Sequence, residues 1–149
     1  ATTEIYTLSL HDALPISYST RPYQHVLEPV MAYLMIAQRQ YEDRSLAGWY
    51  NVGPDDCDCV TTGDLTALFC KVWGDGLTWE NRAQPNAPHE ANFLKLDCTK
   101  LKSVFGWRPR WHMEEAVEKT VEWTKAWLAG DDLPAVMDRQ IRIFLEEAP

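Results

Sequence analysis

Two cysteines and two histidines are the first side chains in this sequence whose types could do chemistry together. Cys57 and Cys59 flank a single residue, and His89 and His112 follow later in the chain. Thiolate and imidazole groups are ligands that zinc prefers, so these four residues could in principle bind one ion. Structural zinc sites, however, usually separate their cysteines by two or more residues and repeat that pattern. The spacing therefore favours no metal site.

The sequence also lacks the common patterns of catalytic and cofactor-binding residues. It has no Gly-x-Gly-x-x-Gly or Gly-x-x-x-x-Gly-Lys run to hold a nucleotide phosphate, and no Tyr is followed four residues later by Lys. No Ser stands in a nucleophile elbow. The pairs Glu114-Glu115 and Glu146-Glu147 occupy adjacent helical positions, which face different directions and are typical of solvated surfaces. We predict no catalytic residue and no cofactor-binding residue in this chain.

Composition narrows the classes of protein and of partner. The net charge of -8 would repel a phosphate backbone, and no run of Lys and Arg offsets it, so we expect no nucleic-acid partner. An anionic ligand would need a locally basic pocket. The longest apolar run, residues 30–37, is broken by Tyr33 and is too short to cross a bilayer. The four cysteines, without a recognisable signal sequence, predict free thiols and a cytoplasmic location.

The elements that must position any site are mostly helical. A chain of 149 residues with 46% hydrophobic content can bury one modest core, so we expect a single domain of mixed α/β class with short strands. Three- and four-residue spacing of apolar side chains predicts the long helices. Caps predict where they begin or end, namely Thr61 or Thr62 at a start and Gly74, Gly106 and Gly130 at the ends. The predicted helices cover residues 29–42, about 62–73, 113–129 and 133–147, with a short one that starts at Asp97 or Thr99 and ends at Gly106. The predicted strands cover residues 24–26, 48–52, 78–80 and 91–96.

Residues 1–17 (ATTEIYTLSLHDALPIS) differ in character from the rest of the chain. They have no apolar periodicity that continues into the following sequence, no helix cap, and a Pro inside their only apolar patch. The segment resembles the translated read-through of a sequencing adaptor, and the alternative is an ordinary disordered amino terminus. On either interpretation we expect a non-native or disordered leader at 1–17 and the functional domain at 18–149.

Four blocks after this leader carry a resemblance to a known family. Residues 21–29 (RPYQHVLEP) are similar to the Arg-x-aromatic-x-His-Val block of extended short-chain dehydrogenases that act on nucleotide sugars, the NAD-dependent epimerase/dehydratase family. Within that family they most resemble the enzymes that dehydrate CDP-glucose. Residues 49–54 (WYNVGP), 88–97 (PHEANFLKLD) and 106–111 (GWRPRW) follow in the family's order. The resemblance implies a C-terminal substrate-binding part, with the cofactor-binding Rossmann domain largely absent.

The resemblance also implies which residues contact substrate. In related dehydratases the Arg and the Asn that match Arg21 and Asn51 reach the nucleotide. A guanidinium suits this role because its planar fork can bond two phosphate oxygens at once. His89 and Glu90 lie in the segment that closes over the nucleotide in relatives, several of which have an Arg there. This departure leaves the contact and the base preference open.

Structural roles for the same residues remain open at this point. Arg21 could pair with Glu28 or with a surface carboxylate, and Asn51 could hydrogen-bond its own turn. Three further residues of the family blocks are predicted to pack in the core, because aromatic side chains dominate protein interiors. They are Tyr23, His25 and Trp107.

The reaction that the resemblance implies belongs to the full-length enzyme. It would convert CDP-glucose to CDP-4-dehydro-6-deoxyglucose and water with bound NAD, and it could work as a homo-oligomer. This chain would bind no cofactor, would have no turnover, and would have a marginally stable core, because relatives pack this region against the cofactor domain. The alternatives are an epimerase or dehydratase for another nucleotide sugar, and a non-catalytic interaction module.

Overall fold

Helices make up most of the described residues in a computed structural model, which describes residues 18–81 and 92–146, and residues 7–10 through their backbone. The mixture of long helices and very short strands is the predicted α/β class. The helices are α1 (Leu27–Glu42), α2 (Thr62–Trp73), α3 (Thr99–Phe105), α4 (Met113–Ala129) and α5 (Leu133–Glu146). The strands are β1 (Thr7–Leu10), β2 (Thr20–Pro22), β3 (Cys59–Thr61) and β4 (Thr78–Asn81).

The four strands form two separate pairs. Strand β2 runs antiparallel to β3, with Arg21 opposite Val60. Strand β1 runs parallel to β4, with Thr7 opposite Thr78. The pattern of residues 1–17 did not predict β1, while β4 confirms the predicted strand at residues 78–80.

Helix ends follow the chemistry that the sequence predicts. The Thr61 hydroxyl accepts a hydrogen bond from the Asp64 amide (3.0 Å) and thereby satisfies one of the unpaired donors at the start of α2. Helix α3 ends at Gly106, whose φ of 70° and ψ of 14° lie in the left-handed region that glycine adopts without strain. Trp107 then folds back onto Leu101 in the same buried cluster, as predicted.

The core consists of two apolar clusters. One joins α1 to α3 and the residue after it, and its buried members are Ala32, Leu101, Phe105 and Trp107. The other lies between α4 and α2, where Met113, Val117 and Val121 pack against partly buried side chains of α2. Both clusters are built mainly by helix packing.

A buried carboxylate connects α1 to the loop before α4. Glu28 in the first turn of α1 is 1% exposed, and its Oε1 atom accepts hydrogen bonds from the backbone amides of Arg110 (2.8 Å) and Trp111 (2.7 Å). Burial raises the pKa of this carboxyl, and the two amide bonds oppose that rise. Trp111 then contacts His25 and Phe144 edge to face, so this loop also joins the start of α1 to the end of α5.

Two predicted strands are absent. Residues 48–54 contain no strand, although their aromatic and β-branched side chains favour one. Side-chain bonds hold this segment instead, because the Tyr50 hydroxyl donates to the Leu46 carbonyl (2.6 Å). The predicted strand at 24–26 is also wrong, since the extended piece lies earlier, in β2. The described residues of the predicted strand at 91–96 form one isolated bridge, Phe93 to Thr20.

Several large apolar side chains remain on the surface. Helix α1 exposes Tyr33, Leu34 and Tyr41, and Trp49 after it is 93% exposed. Where such side chains form a continuous patch, they mark surfaces that pack against another molecule or domain. Among the described residues, no helix combines the length and the apolar character needed to cross a membrane.

We predict that the Glu28 carboxylate contributes to stability as an acceptor for two amides. Glu28→Ala leaves both buried amides without a partner and should lower the free energy of unfolding by about 2–4 kcal/mol. Glu28→Gln keeps one acceptor oxygen and should lose about 1 kcal/mol. Urea unfolding followed by tryptophan fluorescence measures both values, with the exposed Glu114→Gln as the control. Equal losses in the Ala and Gln variants would contradict the acceptor role.

Candidate functional site

Arg21 lies at the centre of β2, and its side chain is half-buried. Pairing with β3 fixes its backbone, because Arg21 stands opposite Val60 in the antiparallel register. Among its contacts, its guanidinium donates a hydrogen bond to the carbonyl of Thr20 (3.0 Å). The sequence left open that Arg21 pairs with Glu28. In the structure the backbone amides of Arg110 and Trp111 donate to Oε1 of Glu28 and hold that carboxylate in place.

Asn51 lies in the irregular segment that replaces the predicted strand. It is exposed, and its side-chain amide donates to the carbonyl of Asp97 (3.0 Å), 46 residues further along the chain. This bond is not the local turn bond that was left open, because its acceptor lies in another segment. Asn51 therefore connects its loop to the segment at residues 92–98.

The same segment also holds the strand of Arg21. The amide of Thr20 donates to the carbonyl of Asn92 (2.9 Å), and the amide of Leu94 donates to the carbonyl of Thr20 (3.1 Å). Leu94 and Asp97 are three residues apart, and an extended chain advances about 3.3–3.6 Å per residue, so these two contact points lie within roughly 11 Å. The structure thus brings β2 and the Asn51 loop to neighbouring positions on one segment.

A polar cleft adjoins this segment. It has a volume of about 600 Å³ and lies between the residues that follow Asn51 and the start of α3. Its lining residues are Pro54, Asp55, Asp56, Lys95, Leu96, Asp97, Cys98, Thr99 and Lys102.

Ion pairs join the two walls of the cleft. Lys102 bonds the carboxylate of Asp55, and the Lys95 ammonium lies 3.2 Å from the carboxylate of Asp56. The Asp97 carboxylate accepts hydrogen bonds from the Thr99 side chain and from the Thr99 amide (2.9 Å), and the two bonds, in that order, keep its pKa below the usual range. The lining therefore has three carboxylates and two ammonium groups. It is not the locally basic pocket that an anionic ligand would need.

Gly53 and Cys98 form the closely packed floor beside this cleft. A β-carbon at Gly53 would lie 3.0 Å from Leu96 Cδ1, which is closer than side chains normally approach. The thiol of Cys98 donates to the Gly53 carbonyl (3.7 Å), and burial raises the pKa of this thiol. All four cysteines have free thiols, as the sequence predicts, and three of the four are at least partly buried.

The remaining predicted residues divide into two groups. His89 and Glu90 lie outside the described residues, so their role stays a prediction. The packing roles are confirmed for the other three. Trp107 is 4% exposed, Tyr23 packs against the α2–α4 cluster and bonds Thr62 through its hydroxyl (2.7 Å), and His25 contacts the Trp111 ring at 4.8 Å.

Sequence reasoning missed a cluster at the start of α4. The buried carboxylate of Asp58 accepts from the amide of Met113 (2.8 Å) and lies 2.8 Å from Nδ1 of His112. The Cys57 thiol is 3.8 Å from the same ring nitrogen. The hydrogen bond and the charge of Asp58 raise the pKa of His112. The sequence offers Cys57 and His112 as possible zinc ligands. It gives no sign that Asp58 contacts both of them.

The chain is similar to known proteins over most of its length. No family model matches it. It is 41% identical over 130 residues to CDP-glucose 4,6-dehydratase of Salmonella typhimurium, and this match covers 86% of the chain and 36% of that enzyme. Over most of its length the chain is therefore similar to the nucleotide-sugar dehydratases and epimerases.

A solved structure agrees with this similarity. The crystal structure of UDP-galactose 4-epimerase superposes with a TM-score of 0.57 at 26% identity, over 81% of this chain and 35% of that one. The predicted resemblance and fold class are therefore confirmed. The chain spans about a third of the length of each of these two proteins.

We predict that His25 makes stability depend on pH. Burial first, and then the charge of Lys119, lower its pKa, and its Nδ1 atom accepts from the amide of Leu27 (3.3 Å), which requires the neutral ring. The unfolded chain takes up a proton near the ordinary pKa of about 6.5, so it binds more protons than the folded state as the pH falls. The contribution of His25 is full above that value and is lost on acidification.

The pH effect is measured as a difference between two proteins. Urea unfolding at several pH values from about 7 down to about 5 should show a steeper loss of stability in the wild type than in His25→Asn. Asparagine retains an acceptor oxygen near the position of Nδ1 and does not titrate in this range. Parallel curves for the two proteins would contradict the prediction.

Proposed function

We propose that this chain forms the substrate-binding part of a nucleotide-sugar dehydratase. In the full-length enzyme the reaction would convert CDP-glucose to CDP-4-dehydro-6-deoxyglucose and water, with NAD bound by a part of the enzyme not in this chain. The identity of 41% to an enzyme named for that reaction supports the proposal. The chain itself would supply grip and specificity.

One observation supports this role beyond the family assignment. The strand of Arg21 and the loop of Asn51 are hydrogen-bonded to the same segment, through Thr20 and Asp97 respectively. A ligand that lies along residues 92–98 would therefore pass close to the strand of Arg21 and to the loop of Asn51. The guanidinium provides two parallel donors for the diphosphate, and the amide provides a donor and an acceptor for the neighbouring groups.

The charges of the cleft suit a sugar better than a phosphate. Its three carboxylates and two ammonium groups can accept from and donate to hydroxyl groups, while their net charge disfavours an anion. We therefore propose that the sugar occupies this cleft and that Arg21 neutralises the diphosphate. His89 and Glu90 are proposed to close over the nucleotide, as the resemblance implies.

The same proposal extends to the cofactor and the assembly of the full-length enzyme. NAD is proposed for the full-length enzyme, and no cofactor is proposed for this chain. A homo-oligomer in full-length form and a cytoplasmic location stay predictions, the latter supported by the four free thiols.

An interaction module is the second candidate. The exposed side chains of Tyr33, Leu34 and Tyr41 on α1 support it. So does an apolar groove of about 330 Å³ between the start of α1 and helices α4 and α5. Such surfaces are typical of protein partners as well as of neighbouring domains. An epimerase or dehydratase for another nucleotide sugar is the third candidate, and the likeness to UDP-galactose 4-epimerase supports that one.

We predict that the chain binds CDP-glucose through Arg21 and Asn51. Titration of the labelled chain with CDP-glucose should shift the amide resonances near both residues. Arg21→Ala should weaken binding about tenfold to a hundredfold, because a charge-assisted hydrogen bond is worth about 1.5–3 kcal/mol. Arg108→Ala is a matched control, since its guanidinium also donates to the carbonyl of the preceding residue.

The same titration separates the three candidates. Competition by CDP, UDP and GDP reports the base preference and thus distinguishes CDP-glucose from other nucleotide sugars. Equal losses in Arg21→Ala and Arg108→Ala would contradict a specific role for Arg21. Shifts on addition of a protein partner, without shifts on addition of nucleotide sugars, would favour the interaction module.

We predict no turnover by the isolated chain. It has no Gly-rich phosphate loop and no Tyr followed four residues later by Lys, so hydride and proton transfer have no groups to carry them. Incubation with CDP-glucose and NAD should give neither NADH nor the dehydrated product by mass spectrometry. An intact CDP-glucose dehydratase added to the same mixture is the positive control. Product formed by the chain alone would overturn the prediction.

A further inference from the structure

Cys57, Asp58 and His112 bring three ligand atoms to one point in front of α4. The Cys57 sulfur lies 3.7 Å from Asp58 Oδ2 and 3.8 Å from His112 Nδ1. The carboxylate oxygen and the ring nitrogen are 2.8 Å apart. Each pair of ligand atoms in the cluster is within 4.8 Å. Three potential ligands from two distant parts of the chain therefore converge without any rearrangement of the backbone.

These separations are close to those around a small metal ion. Bonds of about 2.0–2.3 Å arranged tetrahedrally place ligand atoms about 3.3–3.8 Å apart. The two distances to sulfur, 3.7 and 3.8 Å, lie at the upper end of this range. The distance between Asp58 and His112 is shorter, because the two groups share a proton that a metal ion would replace.

The chemistry of the donors selects the class of ion. A thiolate and an imidazole favour zinc and similar transition metals, while calcium and magnesium prefer sites made of oxygen atoms alone. The thiolate and the carboxylate together carry two negative charges, which balance a divalent cation. This balance matters here because the adjacent start of α4 carries partial positive charge.

The supporting contacts hold one ligand rigidly and leave the others accessible. Asp58 is 3% exposed, and its second oxygen accepts from the amide of Met113 (2.8 Å), which fixes the carboxylate without occupying the oxygen that faces the cluster. Cys57 is exposed, and 56% of the His112 side chain is exposed. An ion can therefore enter from solvent, and a water molecule can fill a fourth position.

We propose that Cys57, Asp58 and His112 form a three-ligand binding site for a zinc-class divalent ion. This site differs from the one that the sequence disfavoured, because Cys59 takes no part in it. The Cys59 thiol instead donates to the carbonyl of Asp55 (3.7 Å). The short turn Asp56–Asp58 puts the neighbouring Asp58, rather than Cys59, beside His112. The proposal does not depend on nucleotide-sugar binding.

Cobalt titration of the whole reduced chain, after removal of metals with a chelator, tests the site. We expect one Co²⁺ per chain, with a thiolate-to-cobalt charge-transfer band and the visible bands of four-coordinate cobalt. Zinc should abolish both signals by displacement. Cys57→Ser should remove the charge-transfer band, while Cys59→Ser should leave the spectrum and the affinity unchanged.

The other ligands are tested by variants that preserve the fold. Asp58→Asn keeps an acceptor for the Met113 amide, and His112→Ala changes an exposed side chain. Each should weaken cobalt binding at least about tenfold, since even outer-shell changes at metal sites cost about that much. His25→Asn is the control for loss of a packed imidazole and should bind normally. Far-ultraviolet circular dichroism verifies that each variant is folded.

Three results would overturn the proposal. The first is the absence of stoichiometric cobalt binding by the folded chain. The second is a charge-transfer band that survives in Cys57→Ser or disappears in Cys59→Ser. The third is unchanged affinity in folded Asp58→Asn and His112→Ala, which would mean that the cluster serves only to cap α4.

Discussion

The arrangement of the described residues depends on one buried carboxylate. Glu28 accepts from two consecutive amides more than 80 residues further along the chain, and it is 1% exposed. A charged group at that depth is tolerated only when hydrogen-bond donors replace the water that it loses. The bond fixes the start of α1 against the loop before α4. Since β2 ends at Pro22, shortly before α1, the same bond restricts where Arg21 can lie.

The helices could be predicted because their signals are local. Apolar spacing marks the buried faces, and the caps at Thr61, Gly106 and Gly130 act within a few residues of the helix ends they define. The strand predicted at residues 48–52 failed for the opposite reason. A strand needs a partner, and β propensity alone cannot show whether one is present. Here the carbonyls of Leu46 and Asp97 accept the side-chain bonds that hold this segment.

The candidate site was only partly predictable. The resemblance supplied Arg21 and Asn51, but periodicity and composition gave no reason to place β2 and the Asn51 loop on one segment. That placement comes from hydrogen bonds to residues 92–97, which no local pattern encodes. The ion pair between Asp55 and Lys102 likewise joins residues 47 positions apart. The set of charged groups that lines the cleft could therefore be seen only in the tertiary structure.

The close packing at Gly53 limits how this sequence can diverge. A methyl group there would push against Leu96, and Leu96 is bonded directly to Asp97, whose carbonyl positions the Asn51 amide. A change at Gly53 would thus shift Asn51, which is proposed to contact the ligand, although Gly53 itself has no such role. If related enzymes change from one sugar to another, substitutions at Gly53 would displace the whole Asn51 loop. Substitutions on the cleft walls would instead alter individual contacts.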